Sequence, residues 1–301
     1  MTLPELLSSE TGMLLAGLSL GAVAGSFLNV CAHRIPLGQS VVSPRSRCPQ
    51  CKSPIPWYRN LPLVSWLIQG GKAGCCTFKI PFRYWLVEAF VALVFGYLFY
   101  CYAQIPSLGL LVGGCIFAWL MVAVVVVDME HMIIPDRFSM GGAVGGVLLS
   151  IAFPSLHLIH QSNDFLERFG GGMNSLIGVL IGSASMYWIG ILAEKALKKE
   201  ALGEGDVKLM GCIGAFCGWK GAVFAIFGGA TLGALILLPV MVVGRMRSNE
   251  KDDSEALAWG QEVPFGPYLA LAGLLYLGCL RSWVDGWFDS FALVFRTSSV
   301  G

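Results

Sequence analysis

Residues 107–128 read Ser-Leu-Gly-Leu-Leu-Val-Gly-Gly-Cys-Ile-Phe-Ala-Trp-Leu-Met-Val-Ala-Val-Val-Val-Val-Asp, an apolar run closed by a single carboxylate, Asp128. At about 1.5 Å per residue, a helix of this length crosses roughly 30 Å of hydrocarbon, so the stretch reads as a membrane span that stops at a polar boundary. The pattern recurs. Further apolar runs lie at about 11–31, 86–105, 138–158, 174–194, 222–243 and 262–280, and a shorter one extends from near Val207 to about Trp219. The short run is a thin or tilted span, or one that passes deep inside the bundle, and counting it gives eight. Composition agrees: 55% of the 301 residues are hydrophobic, only 13% are charged, and the mean hydropathy is +0.69. A soluble globular domain has about twice that charged fraction. The expected fold class is an all-α polytopic membrane protein of about eight transmembrane helices, with a small cytoplasmic Cys-rich loop domain after the first helix.

Charge sets the orientation. With the N-terminus outside, segments 32–85, 128–137, 195–208 and 244–261 face inward and carry 8, 1, 4 and 3 Lys or Arg, which is 16 of the 20 in the chain. Arg168, Lys220, Arg281 and Arg296 remain outside. The positive-inside rule favours this orientation over its reverse, and it puts Asp128 and Asp206 at the cytoplasmic face. The first run follows Glu5 and Glu10 with no Lys or Arg before it, so it is expected to stay as an anchor rather than be removed as a signal peptide. Four regions result: a first helix with external N-terminus (1–31), a basic cytoplasmic domain (32–85), a transmembrane core (86–280) and an external amphipathic tail (281–301) bearing Trp283, Trp287 and Phe291. Segment 32–85 has no acidic residue and is expected to lie against anionic lipid headgroups. No nucleic-acid module is visible.

Six of the ten cysteines (Cys31, Cys101, Cys115, Cys212, Cys217 and Cys279) fall in apolar runs, where cysteine packs as a small hydrophobe. The other four form Cys48-Pro-Gln-Cys51 and Cys75-Cys76 in the basic segment. A cytoplasmic setting disfavours disulfides, and Cys-x-x-Cys suits a zinc knuckle, so a structural zinc at Cys48, Cys51, Cys75 and Cys76 is expected, with reduced thiols as the alternative. Adjacent cysteines grip one metal less readily than a spaced pair, which makes the second half irregular.

Asp128 taken alone reads as a solvated span end. Asp206 changes that reading, because it stands in Gly203-Glu-Gly205-Asp206-Val-Lys208, where two glycines permit close backbone approach and a helix starts immediately afterwards. Carboxylates at a membrane boundary are costly when misplaced and so point to function. Two that meet within hydrogen-bond reach share a proton, and one can activate water for attack on an amide while the other holds the proton. Aspartyl peptide-bond cleavage by Asp128 and Asp206 is the chemistry this pattern supports, with Gly203, Gly205 and Lys208 supporting the loop. Glu130, His131, Asp136 and Glu204 read as water-facing neighbours. No His-Glu-x-x-His, Gly-x-Ser-x-Gly, Walker loop, Rossmann fingerprint or internal repeat is present. The main rival from another class is a proton- or cation-coupled transporter using paired carboxylates; a presenilin-like protease and a zinc-clipped scaffold are weaker alternatives.

Several further stretches, in this order, carry a specific likeness: Gly25-Ser-Phe-Leu-Asn-Val30 with His33-Arg34-Ile-Pro36, the cysteine loop, Arg83-Tyr84 with Val87-Glu88, Asp128 with Ile134-Pro-Asp136, Gly203 to Lys208, and Pro264-Phe-Gly-Pro-Tyr268. The chain resembles the bacterial type IV prepilin peptidases, also called prepilin leader peptidase/N-methyltransferases, nearly end to end. The resemblance implies removal of the short basic leader of prepilins and pseudopilins at the inner membrane, with the family's two catalytic aspartates falling on Asp128 and Asp206. It also implies methylation of the new N-terminal residue from S-adenosylmethionine, for which no pocket is legible. The family usually has two Cys-x-x-Cys pairs; here Ala73 takes the first position of the second pair and Cys75 is an extra neighbour of Cys76. Oligomeric state is not readable.

Overall fold

The computed structural model describes residues 9–198, 202–247 and 264–298. Most of the basic segment 244–261, Glu5 and the last three residues of the tail lie outside these. The described residues are helical, with no strand and only two isolated bridge pairs in the cysteine loop. The helices are α1 (Glu10–Arg34), a short α2 (Val64–Ile68), α3 (Phe82–Gln104), α4 (Leu108–His131), α5 (Asp136–Ala152), α6 (Asp164–Leu197), α7 (Glu204–Arg247), α8 (Gly266–Leu275) and α9 (Arg281–Ser298). α1 opens on Ser9, whose hydroxyl caps the Gly12 N–H, and α6 on Asn163, which accepts from Phe165 and Leu166.

Six helices are long and apolar enough to cross a membrane, against the eight spans expected. Two features account for the difference. α5 has only 17 residues and falls short of a full crossing by itself. The runs 207–219 and 222–243 belong to one element, α7, interrupted at Gly218 (φ 69°, ψ −178°), a conformation open to glycine and strained for any other residue. The chain doubles back there. A Cβ on Gly182 of α6 would meet both Met210 O and the Ala222 Cβ, residues that a straight helix would hold about 18 Å apart. The first limb, 204–217, is therefore short, and its residues Leu209, Met210, Cys212, Ile213, Ala215 and Phe216 are wholly buried.

α4 is the central helix. Phe117, Met121, Ala123, Val124 and Val127 have no exposed surface, and the Trp119 indole N–H donates to Ala24 O of α1 at 2.9 Å. Around it, two helix pairs approach backbone to backbone. α1 lies on α3 through Gly17, Gly21 and Gly25, and a Cβ on Gly21 would stand 2.7 Å from Val91 O. α6 lies on the first limb of α7 even more closely: a Cβ on Gly178 would stand 2.1 Å from Gly214 O. In lipid there is no hydrophobic drive between helices, so small residues that admit close van der Waals packing make the interface.

At the end remote from Asp128, the last helix bends. A π-helical turn, Tyr276–Leu280, joins α8 to α9, and such insertions kink helices. A Cβ on Gly221 would touch Tyr276, yet the adjacent Lys220 Nζ reaches Asp289 at 2.6 Å, thirteen residues beyond Tyr276. A straight helix would separate Tyr276 and Asp289 by about 20 Å. α9 thus lies across the bundle end, fixed by Tyr276 Oη to Asp285 at 2.7 Å and by Arg281 donating to Leu156 O at 2.7 Å.

Gly178→Val should cost at least about 1–3 kcal/mol by overpacking, read as a lowered Tm in detergent. Gly145→Ala, where a Cβ meets nothing within 4 Å, should be neutral or slightly stabilising. Equal Tm values for the two variants would contradict the close α6–α7 contact.

Candidate active site

Asp128 lies in the last turn of α4 and Asp206 in the first turn of α7. The sequence delivers both to one end of the bundle for local reasons. α4 stops where Met132 takes a left-handed conformation (φ 54°) and its N–H closes on Asp128 O at 2.9 Å, and Pro135 then caps α5. The first limb of α7 is drawn inward by its glycine contacts with α6, which buries Asp206. Among the described carboxylates, only Asp128 and Asp206 are buried, at 5% and 8% exposure. They are close enough for the charge of Asp128 to be felt at Asp206.

A third segment completes the site. The Gly266 N–H, at the start of α8, hydrogen-bonds the Asp128 carboxylate. It offers one of the free amides of a helix N-terminus. The approach is tight enough to exclude a side chain, since a Cβ on Gly266 would stand 2.6 Å from Asp128 Oδ2. On the other side, the Gly203 backbone hydrogen-bonds Asp206. Ile134 fills the space between: Cβ atoms on Gly205 and Gly266 would lie 3.1 Å from its Cβ and 3.0 Å from its Cδ1 respectively. Two carboxyl groups are thus walled by an isoleucine and two glycines. Gly266 and Ile134 were quoted from the sequence without a role; Gly266 had a signal, a glycine between Phe265 and Pro267 at a helix start, whereas nothing local marked Ile134.

The polar neighbours occupy the rim. Lys208 Nζ bridges Asp136 and Glu204, each at 2.9 Å, which ties the start of α5 to the start of α7 beside the two aspartates. Both partners are exposed, so the bridge registers the two segments and contributes little stability. Glu130 pairs with Arg83 at the head of α3, and His131 is exposed. None of these four reaches the buried pair's environment.

The cysteine loop is held by two turns, one closed by the Arg47–Pro54 bridge and one by Lys72–Lys79. Each turn presents two cysteines. All four Sγ atoms, of Cys48, Cys51, Cys75 and Cys76, lie within 4.8 Å of one another, with Cys48–Cys76 at 3.5 Å and Cys51–Cys75 at 3.3 Å. Tetrahedral zinc with thiolates at about 2.3 Å requires sulfurs about 3.8 Å apart, so this donor set fits. The irregular pair is accommodated because the Ala73 N–H to Phe78 O bond curls the second turn around both cysteines. The Ser53 hydroxyl beside Cys51 draws its thiol down to about 6, whereas the thiols of Cys75 and Cys76 are held up.

Residues 19–102 match the model of the bacterial peptidase A24 N-terminal domain, and residues 115–238 that of the type IV leader peptidase family. A prepilin leader peptidase/N-methyltransferase of Myxococcus xanthus is 34% identical, covering 88% of this chain and 90% of its own. Proteins of the same name from Stutzerimonas stutzeri and Pseudomonas aeruginosa are 31% and 30% identical, each covering at least 90% of both chains. No solved structure matches the chain.

Proposed function

Because this chain belongs to the type IV leader peptidase family, we propose that Asp128 and Asp206 are the pair with which it removes the leader of type IV prepilins and pseudopilins. The protein is a prepilin leader peptidase and N-methyltransferase of a multi-pass kind, carried in the inner membrane. One observation supports the assignment most: two carboxylates, from helices distant in sequence, are the only buried ones among the described residues and come together at one end of the bundle, where Gly266 beside Asp128 and Gly205 beside Asp206 close on the same Ile134 side chain. Nothing among the relatives favours a transporter.

In this reading one carboxylate takes a proton from water, the water oxygen bonds to the scissile carbonyl carbon, and the other carboxyl group hands its proton to the leaving amine as the C–N bond breaks. The dyad acts as a unit, so acid and base roles belong to the pair. Gly266 holds Asp128 through its N–H, Gly203 and Gly205 let the loop approach Asp206 and Ile134, and Lys208 keeps the starts of α5 and α7 in register. The distribution of Lys and Arg, 16 of 20 on one side, supports an external N-terminus and cytoplasmic aspartates, where a prepilin leader is presented.

The remaining regions follow that reading. Segment 32–85 is a basic domain clipped by structural zinc on Cys48, Cys51, Cys75 and Cys76 and resting on anionic headgroups; 86–280 is the peptidase core, 1–31 its first anchor and 281–301 an external amphipathic tail. S-adenosylmethionine supplies the methyl group for the second activity.

Asp128→Asn and Asp206→Asn should each lower cleavage of a prepilin-type substrate by roughly 10²–10⁴-fold without loss of folded protein. Full activity in either variant would refute the dyad. Gly266→Ala keeps both carboxylates but pushes on Asp128, and a displacement of about 1 Å is worth on the order of 10² in kcat; a wild-type kcat would show that the Gly266 contact is not needed. Purified protein should carry about one zinc per chain, and stripping it with a chelator should lower the Tm of the loop domain without restoring any disulfide. Protein that is metal-free and equally stable would leave the four cysteines as ordinary reduced thiols.

A further inference from the structure

Five buried side-chain nitrogen or oxygen atoms among the described residues have no hydrogen-bond partner, and two of them, Asn29 Oδ1 and Trp85 Nε1, belong to α1 and to the start of α3, which Asn29 joins through Tyr84 O. A buried polar atom left unpaired is destabilising, so each of these two calls for an explanation. Asn29 is only 6% exposed, and its amide already donates to Tyr84 O at 3.0 Å, which leaves the carbonyl oxygen as a free acceptor. Beside it stands Glu88, whose carboxylate accepts the Leu63 N–H at 2.7 Å and hydrogen-bonds the Ser26 and Asn29 side chains. One and two turns before Glu88 on the same side of α3 stand Trp85 and Phe82 of an aromatic cluster, with Phe82 5.4 Å from both Trp66 and Trp85 between ring centroids. No step of the cleavage uses any of these residues.

We propose that this cluster is the methyl-transfer site, with Asn29 and Glu88 holding the N-terminal amine freed by leader removal and the Trp66, Phe82 and Trp85 rings receiving the cationic methyl donor. The inference rests on the reading that the chain methylates its product with S-adenosylmethionine. An amine brings N–H donors, which match the unpaired Asn29 oxygen and the Glu88 carboxylate. The donor brings a sulfonium, which aromatic faces attract, and a carboxylate, which matches the unpaired Trp85 indole N–H. In the step itself, the amine lone pair forms a bond to the methyl carbon while the carbon–sulfur bond breaks with its electron pair left on sulfur. The surplus proton on nitrogen passes to Glu88.

Position supports the assignment. Arg83 pairs through its terminal nitrogen with Glu130, two residues beyond Asp128, so the cluster and the aspartates occupy the same end of the bundle. The short α2, whose N-terminal flank donates to Glu88, covers the cluster from the loop side, with Leu67 and Ile68 exposed. A product N-terminus leaving the aspartates therefore has the second site at hand without crossing the membrane.

The test uses full-length enzyme in detergent, a prepilin-type substrate and methyl-labelled S-adenosylmethionine. It compares wild type with Glu88→Gln and Trp85→Phe, the latter keeping an aromatic ring and removing the indole N–H. Leader release should stay within about twofold of wild type in both, while methyl transfer should fall at least about 100-fold in Glu88→Gln. Ultraviolet cross-linking of the labelled donor, a readout independent of turnover, should map to residues 57–88 in wild type and weaken in Trp85→Phe. Wild-type transfer in both variants, or a cross-link confined to other segments, would overturn the inference. Absence of transfer by the wild-type enzyme would defeat the methyl-transfer reading as well. Should Glu88→Gln lose leader release along with transfer, Glu88 is a clamp and the proposal fails for it; Trp85→Phe then decides the site by its cross-link.

Discussion

The contact on which the remaining architecture depends is the approach of α6 to the first limb of α7 through glycine. With Gly178 and Gly214 almost backbone to backbone, a short helical limb is pulled wholly inside the bundle. That fixes the depth at which Asp206 begins the limb. A bulkier interface would move the limb outward by a side-chain diameter and place its aspartate in water. Because protein interiors do not deform continuously, the alternatives are a seated limb or a displaced one. The same contact demands the reversal at Gly218, since the chain emerges from the limb at the far end and must return beside α8.

Electrostatics then works within this frame. α4 ends where its own carbonyls point, an unfriendly place for a carboxylate, and the start of α8 supplies the compensating amide at Gly266. Asp206 sits at a helix start, where backbone amides favour negative charge. Three helix ends thus converge on two carboxylates. The ion pairs around them are exposed and act as alignment rather than as glue.

Much of this was legible in the sequence, and what was missed has physical causes. The apolar runs located every long helix except α9, whose amphipathic sequence was read as a tail, since hydrocarbon thickness sets the length of apolar helices directly. Only six of the described helices are long and apolar enough to cross alone, because α5 is short and the run at 207–219 is a buried limb that reverses at Gly218 before 222–243 returns; hydropathy records how apolar a segment is and not where it turns, and only Gly218 marked the reversal. Asp128 and Asp206 stood out because a charge is conspicuous at a hydrocarbon boundary and because two glycines framed the second. Ile134 did not, since its role is to touch two glycines that are 61 residues apart in the chain. The Gly17-xxx-Gly21-xxx-Gly25 row was present to be read as a helix interface and signals the α1–α3 contact by its spacing alone. The adjacent Cys75 and Cys76 looked irregular from sequence, as spacing along a chain says little about a turn that curls around its own side chains.

The α1–α3 pair also bears on how the protein is made. α1 enters the bilayer well before α3, because the whole loop from 35 to 81 has to be synthesised in between, and until then its glycine face meets only lipid. Closing a long flexible loop costs entropy that grows with its length. Were a metal to pin the loop at its four sulfurs, the loop would behave as a much shorter tether and raise the effective concentration of one helix at the other. A metal held there would then act on the yield of inserted protein during synthesis.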